Sequence, residues 1–347
     1  MKPQPSTPHT DFRARTLLNR KLAAAISILW SCSGSVAAPA QSATPVSTKL
    51  NRTASSIHCE PADVSSLRFG LVVLGSGGGP RGLGRAGSSY VVVVGGTPRV
   101  LIDVGPGAFL RLGELDLDLR ALDIVLLTHL HVDHAGDLPG FLLARAVMRE
   151  GRVTFRIAGP TGAGAYPSTT DFVARLFGDH GAFAYAPTFT QSALQFDVND
   201  LPTNTVPDAR LVLDEDGVRV SAIPVDHGDV PAVAYRIDHA GRSLVITGDL
   251  ASKNDNLPTL AAGADLLVYD TAVMDPPSST QALYELHTTP KRIGEVATLA
   301  RVRSLLLSHL TGRVVDHADE VMHSVQTGFT GEARFAHDCM TLEVDAP

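Results

Sequence analysis

The 347-residue sequence has no apolar run long enough to cross a bilayer; Leu22 to Trp30, near the N-terminus, has the length of a signal-peptide core instead. Cysteine is scarce, with only Cys32, Cys59 and Cys339. Basic charge is also in short supply. Lys and Arg number 29 against 36 Asp and Glu, and the net charge of -7 disfavours a nucleic-acid binder driven by electrostatics. No repeat occurs at solenoid spacing, and the 31 Gly and 22 Pro follow no collagen-like period. Hydrophobic residues at 44% and charged residues at 19% support a packed core and exclude wholesale disorder. The length allows one large α/β domain or two ordinary ones.

Residues 1–40 read as a leader rather than as fold. Arg13, Arg15, Arg20 and Lys21 precede the apolar run, and Ser35-Val36-Ala37 and Ala38-Pro39-Ala40 offer small-residue cleavage sites. This pattern predicts export to the periplasm or beyond, with lipid attachment at Cys32 as a minor alternative. Residues 41–64, rich in Ser, Thr, Ala and Pro, read as a linker. Of the remaining cysteines, Cys59 and Cys339 either pair in an oxidising compartment or stay as buried thiols.

From residue 65 to the C-terminus the pattern is that of one domain. Apolar or β-branched runs predict strands at 69–74, 90–94, 100–104, 124–127, 153–157, 218–223, 233–237, 244–246, 266–269 and 304–307. Asp137 with Pro139 opens one helix and Thr289-Pro290 opens another. Many short strands with few long helices predict an α+β fold, an αββα sandwich of two mixed sheets flanked by helices. Residues 161–215 are less regular and are expected as an insertion over a site. Gly75-Ser76-Gly77-Gly78-Gly79-Pro80 follows a strand but leads into the strand-like Tyr90 to Val94, which argues against a dinucleotide fingerprint and for a tight loop beside a site.

The segment Thr128-His129-Leu130-His131-Val132-Asp133-His134 carries the chemistry. Three imidazoles and a carboxylate follow a buried strand. Alternation puts His129, His131 and Asp133 on one side if the chain stays extended, and the turn toward Asp137 brings His134 round. One four-coordinate ion does not need so many ligands from one loop; two ions would use His129 with His131 and Asp133 with His134. Imidazole and carboxylate without thiolate suit zinc and permit manganese or iron.

This His-x-His-x-Asp-His signature resembles that of the metallo-β-lactamase superfamily, and further motifs follow in family order across residues 65–312. The resemblance implies that His227, in Pro224-Val225-Asp226-His227, completes the first metal site. It implies that Asp249, in Thr247-Gly248-Asp249, bridges two ions, that His309, in Leu307-Ser308-His309-Leu310, serves the second, and that Asp103 supports the site from behind. Two divalent ions would lower the pKa of a shared water for attack on a carbonyl, phosphoryl or sulfuryl centre.

Within the superfamily the chain resembles the ribonuclease Z and bacterial arylsulfatase branch through Leu74-Gly75-Ser76-Gly77, Gly136-Asp137-Leu138-Pro139-Gly140, Gly159-Pro160-Thr161-Gly162 and His287 in Glu285-Leu286-His287-Thr288-Thr289. That likeness implies catalytic parts for Asp133 and for His287, a leaving-group proton donor paired with Asp270. Ribonuclease Z carries a tRNA-gripping arm between the positions of His227 and Asp249; here two short strands and a turn at His239-Ala240-Gly241 leave no room for one. The expectation is therefore an exported binuclear hydrolase of a small sulfate or phosphate ester, with nucleic acid an unfavoured partner and a homodimer implied by analogy. The alternatives are a ribonuclease Z-like phosphodiesterase or nuclease, a lactone or thioester hydrolase, and a non-catalytic metal- or ligand-binding protein. Specificity would lie in residues 161–215 and in the loops at 75–88 and 273–286.

Overall fold

The computed structural model describes residues 58–79, 84–148, 151–190, 192–203 and 208–344; for residues 189–193 it describes no side chains. The expected leader at 1–40 and most of the expected linker lie outside these residues. No helix among the described residues is long and apolar enough to cross a membrane.

Two mixed seven-stranded sheets face one another. The first contains β1 (Phe69–Gly75), β2 (Ser89–Val94), β3 (Thr97–Ile102), β4 (Ile124–Leu126), β5 (Gly151–Pro160), β6 (Ser192–Leu201) and β14 (Thr341–Glu343), in the order β14-β1-β2-β3-β4-β5-β6. The second contains β7 (Arg210–Glu215), β8 (Val218–Val225), β9 (Ala232–His239), β10 (Arg242–Ile246), β11 (Leu266–Asp270), β12 (Ser304–Ser308) and β13 (Glu332–Phe335), in the order β13-β12-β11-β10-β9-β8-β7. Strands β3 to β6 run parallel, as do β10 to β13.

The strands that read as continuous apolar runs are covered on both faces. In β1, Leu71 and Val73 face the core between the sheets, while Val72 and Leu74 face the outer layer with Leu112, Phe141 and Leu142. In β11, Leu266 and Val268 face inward, and Leu267 and Tyr269 pack outward on Ile293, Val296 and Ala297. This two-sided burial stacks helices 108–114 and 138–147 outside the first sheet and helix 290–299 outside the second.

Three details differ from the sequence reading. Residues 161–215 supply an edge strand to each sheet, β6 and β7, and reach the site through their opening loop. Asp137 stands before helix 138–147 but makes no side-chain cap there; its Oδ2 accepts from the backbone of Gly107 and Phe109, at the start of helix 108–114. Extended alternation ends at His131, because a helical turn at Val132–Ala135 carries Asp133 and His134.

Cys59 and Cys339 are joined as a disulfide, with Cα atoms 5.8 Å apart across 280 residues. The neighbouring Asp338 is a buried hub. Its carboxylate accepts from Ser76 N (3.0 Å), Ser76 Oγ (2.8 Å), Ala86 N (2.7 Å) and Arg111 Nε (3.2 Å).

Candidate metal centre

The site lies where strands end. Residues just past β3, β4, β8, β10 and β12 supply Asp103, His129, His227, Asp249 and His309, and Asp270 is the last residue of β11. The carboxyl ends of strands in such sheets gather ligand-binding residues because the chain turns away there.

Three groups of side chains each bring one potential ligand atom per residue within 4.8 Å of one another: His129, His131, His227 and Asp249; Asp133, His134 and His309; and Asp249, Asp270, His287 and His309. Asp249 stands between the first two. Its Oδ2 is 3.8 Å from His129 Nε2 and from His227 Nε2, and 3.3 Å from His309 Nε2, while its Oδ1 is 3.3 Å from His134 Nε2. All the residues singled out from sequence therefore meet in one place. His239, His317 and His337, which carried no expected role, bond backbone carbonyls away from it.

Partners behind the imidazoles fix which nitrogen faces inward. His134 Nδ1 donates to Asp103 Oδ2 (2.8 Å), and His227 Nδ1 donates to Leu286 O (2.8 Å), leaving both Nε2 atoms for the centre. Thr128 Oγ1 donates to Asp103 Oδ2 (2.7 Å) and accepts from His129 Nδ1 (3.2 Å). Asp103 Oδ1 also accepts from Thr128 N (2.7 Å), so this one buried carboxylate holds both ends of the motif.

The glycine-rich loop closes one side. Gly79 N donates to Asp133 Oδ2 (3.0 Å), and Gly78 lies flat against His309, where a Cβ would sit 2.4 Å from the ring Nδ1. Gly248 has φ 59° and would place a Cβ 2.6 Å from Thr128. Sequence reasoning placed this loop beside a site but did not foresee the contacts of Gly78 and Gly79; the run of glycines was their only trace. It also missed Leu286 O, although Leu286 stands in the His287 motif, and Asp338, for which no sequence signal exists.

The donor set fits divalent cations. His129 Nε2, His134 Nε2 and Asp249 Oδ1 are buried and gathered in the centre without a hydrogen-bond partner of good geometry, an arrangement that costs free energy unless something else binds there. Burial holds the His129 imidazole well below its ordinary pKa, so its lone pair is available. At His134 burial opposes protonation, but Asp249 and Asp103 overcome it and lift the pKa to about 10. His309 is likewise raised against burial, chiefly by Asp249. Such proton affinity reports a strongly negative interior that a metal ion would neutralise.

Burial also opposes the imidazolium of His287. The Asp270 carboxylate outweighs it, through its charge and through a 2.7 Å bond from His287 Nδ1, and the net shift is upward. Asp270 Oδ1 is 3.1 Å from His309 Nδ1. Asp270 thus stands between His287 and a candidate ligand.

The family described as "Beta-lactamase superfamily domain" matches residues 98–310. Ribonuclease Z of Mycobacterium avium (strain 104) is 30% identical over 298 residues, covering 80% of this chain and 99% of its own length. Ribonuclease Z of Mycobacterium sp. (strain KMS) is 32% identical over 247 residues, 69% of this chain and 83% of its own. Among solved structures, the short form of human tRNase Z superposes with a TM-score of 0.61 at 22% identity, over 80% of this chain and all of that one. The metallo-β-lactamase fold protein YhfI of Bacillus subtilis superposes with a TM-score of 0.58 at 23% identity, over 79% of this chain and 99% of that one. With curated relatives that are ribonucleases, the expectation against nucleic acid loses its support; net charge averages over a whole surface, whereas binding depends on local potential. The chain is a member of the beta-lactamase superfamily of metal-dependent hydrolases, in its ribonuclease Z branch.

Proposed function

We propose that the chain is a binuclear metal-dependent phosphodiesterase. His129, His131 and His227 would hold one divalent ion, Asp133, His134 and His309 the other, and Asp249 would reach both; zinc suits this donor set best. Bound there, the ions would supply Lewis acidity toward a phosphoryl oxygen and hydroxide at neutral pH. The observation that carries the reading is the His287–Asp270 pair beside the ligand groups, because a site that only binds has no use for a proton donor.

In the reaction a water oxygen forms a new bond to phosphorus as the bond to the leaving ester oxygen breaks. Asp133 accepts a hydrogen bond from that water and orients it, and the proton the water loses passes to solvent. Burial works against the Asp133 charge, but His309 and His134 prevail and keep the carboxyl ionised. His287, with Nδ1 committed to Asp270, donates from Nε2 to the departing oxygen. Asp270 positions that ring and does not itself meet the substrate.

The ribonuclease Z relatives favour a phosphodiester over a sulfate ester. A second reading, hydrolysis of a small sulfate ester, is favoured by one observation: residues 240 and 241 alone join β9 to β10, where ribonuclease Z would carry its tRNA-gripping arm. Export of the protein belongs with that second reading.

The test is initial-rate hydrolysis after zinc or manganese reconstitution, with bis(p-nitrophenyl) phosphate, p-nitrophenyl phosphate, p-nitrophenyl sulfate and a tRNA precursor bearing a 3′ trailer, and with Asp249→Ala as control. Diester or precursor cleavage that stops in the variant supports the proposal. Turnover of sulfate alone selects the second reading, and silence with two ions bound defeats both.

A further inference from the structure

We infer that Tyr166 forms an aryl-binding subsite that receives the ester group retained on phosphorus, an aromatic ring or nucleobase. This rests on the phosphodiesterase reading above and names the part of the substrate that faces away from the proton donor.

Tyr166 lies in the loop between β5 and helix 169–177, two elements whose ranges fix its ends. Backbone bonds from Ala163 N to Tyr166 O (3.2 Å) and from Tyr166 N to Ala163 O (3.0 Å) close the turn, with Gly164 in the left-handed region at φ 58°. The ring therefore projects from a fixed base. Its centroid is 6.0 Å from that of His131, with the planes at 56°.

The surroundings do not explain this ring as packing. Tyr90, Tyr235 and Tyr269 are buried in the apolar clusters, and each hydroxyl has a hydrogen-bond partner. Tyr166 is half-buried, belongs to none of those clusters, and its hydroxyl has no partner among the described residues. It borders an open cavity of about 450 Å³ formed by residues 162–168 with Asp171 and Arg175. The volume suits one ring-bearing substituent. The exposed Arg175 side chain at its edge makes no hydrogen bond or ion pair among the described residues.

The line of rings sets the polarity of the site. Tyr166 adjoins His131, His131 adjoins His227 at 5.2 Å, and His227 adjoins His287 at 5.4 Å. The leaving oxygen must approach His287 to be protonated. A substituent at the Tyr166 end is then the one that stays on phosphorus. A partly exposed tyrosine ring can stack on any planar ring, which gives preference for aryl over alkyl groups without base specificity.

The test uses full-length, metal-reconstituted protein and two diesters with the same leaving group, bis(p-nitrophenyl) phosphate and methyl p-nitrophenyl phosphate. Tyr166→Ala is expected to raise KM for the aryl diester by about tenfold or more. It should leave KM for the methyl diester, bound metal and melting temperature unchanged, while Tyr166→Phe behaves as wild type. Calorimetric binding of p-nitrophenyl phosphate against methyl phosphate gives the same comparison without turnover, so an inactive wild type would defeat the phosphodiesterase reading and still leave the subsite measurable. Equal effects on both esters, no effect on either, or loss of metal in Tyr166→Ala would overturn the assignment.

Discussion

His287 Nδ1 donates to Asp270 Oδ2 across 2.7 Å, while the other oxygen of the same carboxylate stands 3.1 Å from His309 Nδ1. One buried acid therefore serves the proposed proton donor and a candidate metal ligand together. Replacing it would disturb both, whereas replacing His287 removes only the donor.

For His287→Ala, kcat should fall by about 10²–10⁴-fold on a diester with an alkoxide leaving group. On a p-nitrophenolate leaving group, which departs without a proton, the loss should be much smaller. Rates across a leaving-group series, with metal content measured alongside, check this; a uniform loss would assign His287 to structure.

Asp103→Ala removes the acceptor shared by Thr128 and His134. Metal affinity, read by competition with a chelator, should drop by about 10–100-fold. The freed Thr128 donors are buried, so stability should also fall by about 1–3 kcal/mol in denaturant titration of the metal-free protein.

Gly78→Ala should inactivate although glycine supplies no chemistry, because the added methyl would enter the His309 ring. Gly113→Ala is the control. It lies within helix 108–114 with nothing near its Cβ position, and should stabilise by about 0.5–1 kcal/mol with activity unchanged.

The Arg111–Glu114 pair, at 2.7 Å, sets an acid limit. The Arg111 hydrogen bond holds the Glu114 carboxyl below its ordinary 4.5, against a smaller opposing effect of burial. A folded-state pKa below the unfolded one contributes stability above about pH 4.5, and that contribution is lost as pH falls through the lowered value. Wild type should melt above Glu114→Gln at neutral pH, and the two curves should converge on acidification below pH 4.5.

Much of the centre was legible because ligand chemistry is local. His129, His131, Asp133 and His134 fall within one short segment, and His227, Asp249 and His309 each follow a recognisable strand. The strands read best where burial on both faces leaves unbroken apolar runs, as in β1 and β11. The edge strand β7 was not visible, since Arg210 and Leu211 are exposed and its apolar pattern is weak. Asp137 shows the limit of cap rules. Its position was right, but its carboxylate serves the neighbouring helix, a choice made by tertiary packing. The Tyr166 loop opens on the Thr161-Gly162 end of the Gly159-Pro160-Thr161-Gly162 motif, but no signal singled out Tyr166 itself.

Asp338 moors both ends of the glycine-rich loop, yet it follows Ser76 by 262 residues. A chain emerging from the ribosome presents its loop and its four-residue ligand motif before it presents the mooring post. Until residue 338 has been made, Ser76 and Ala86 lack the carboxylate that helps hold the loop from which Gly78 and Gly79 meet His309 and Asp133. The order of synthesis thus sets an order of assembly: the candidate ligands accumulate along the growing chain before the carboxylate that holds their loop is made.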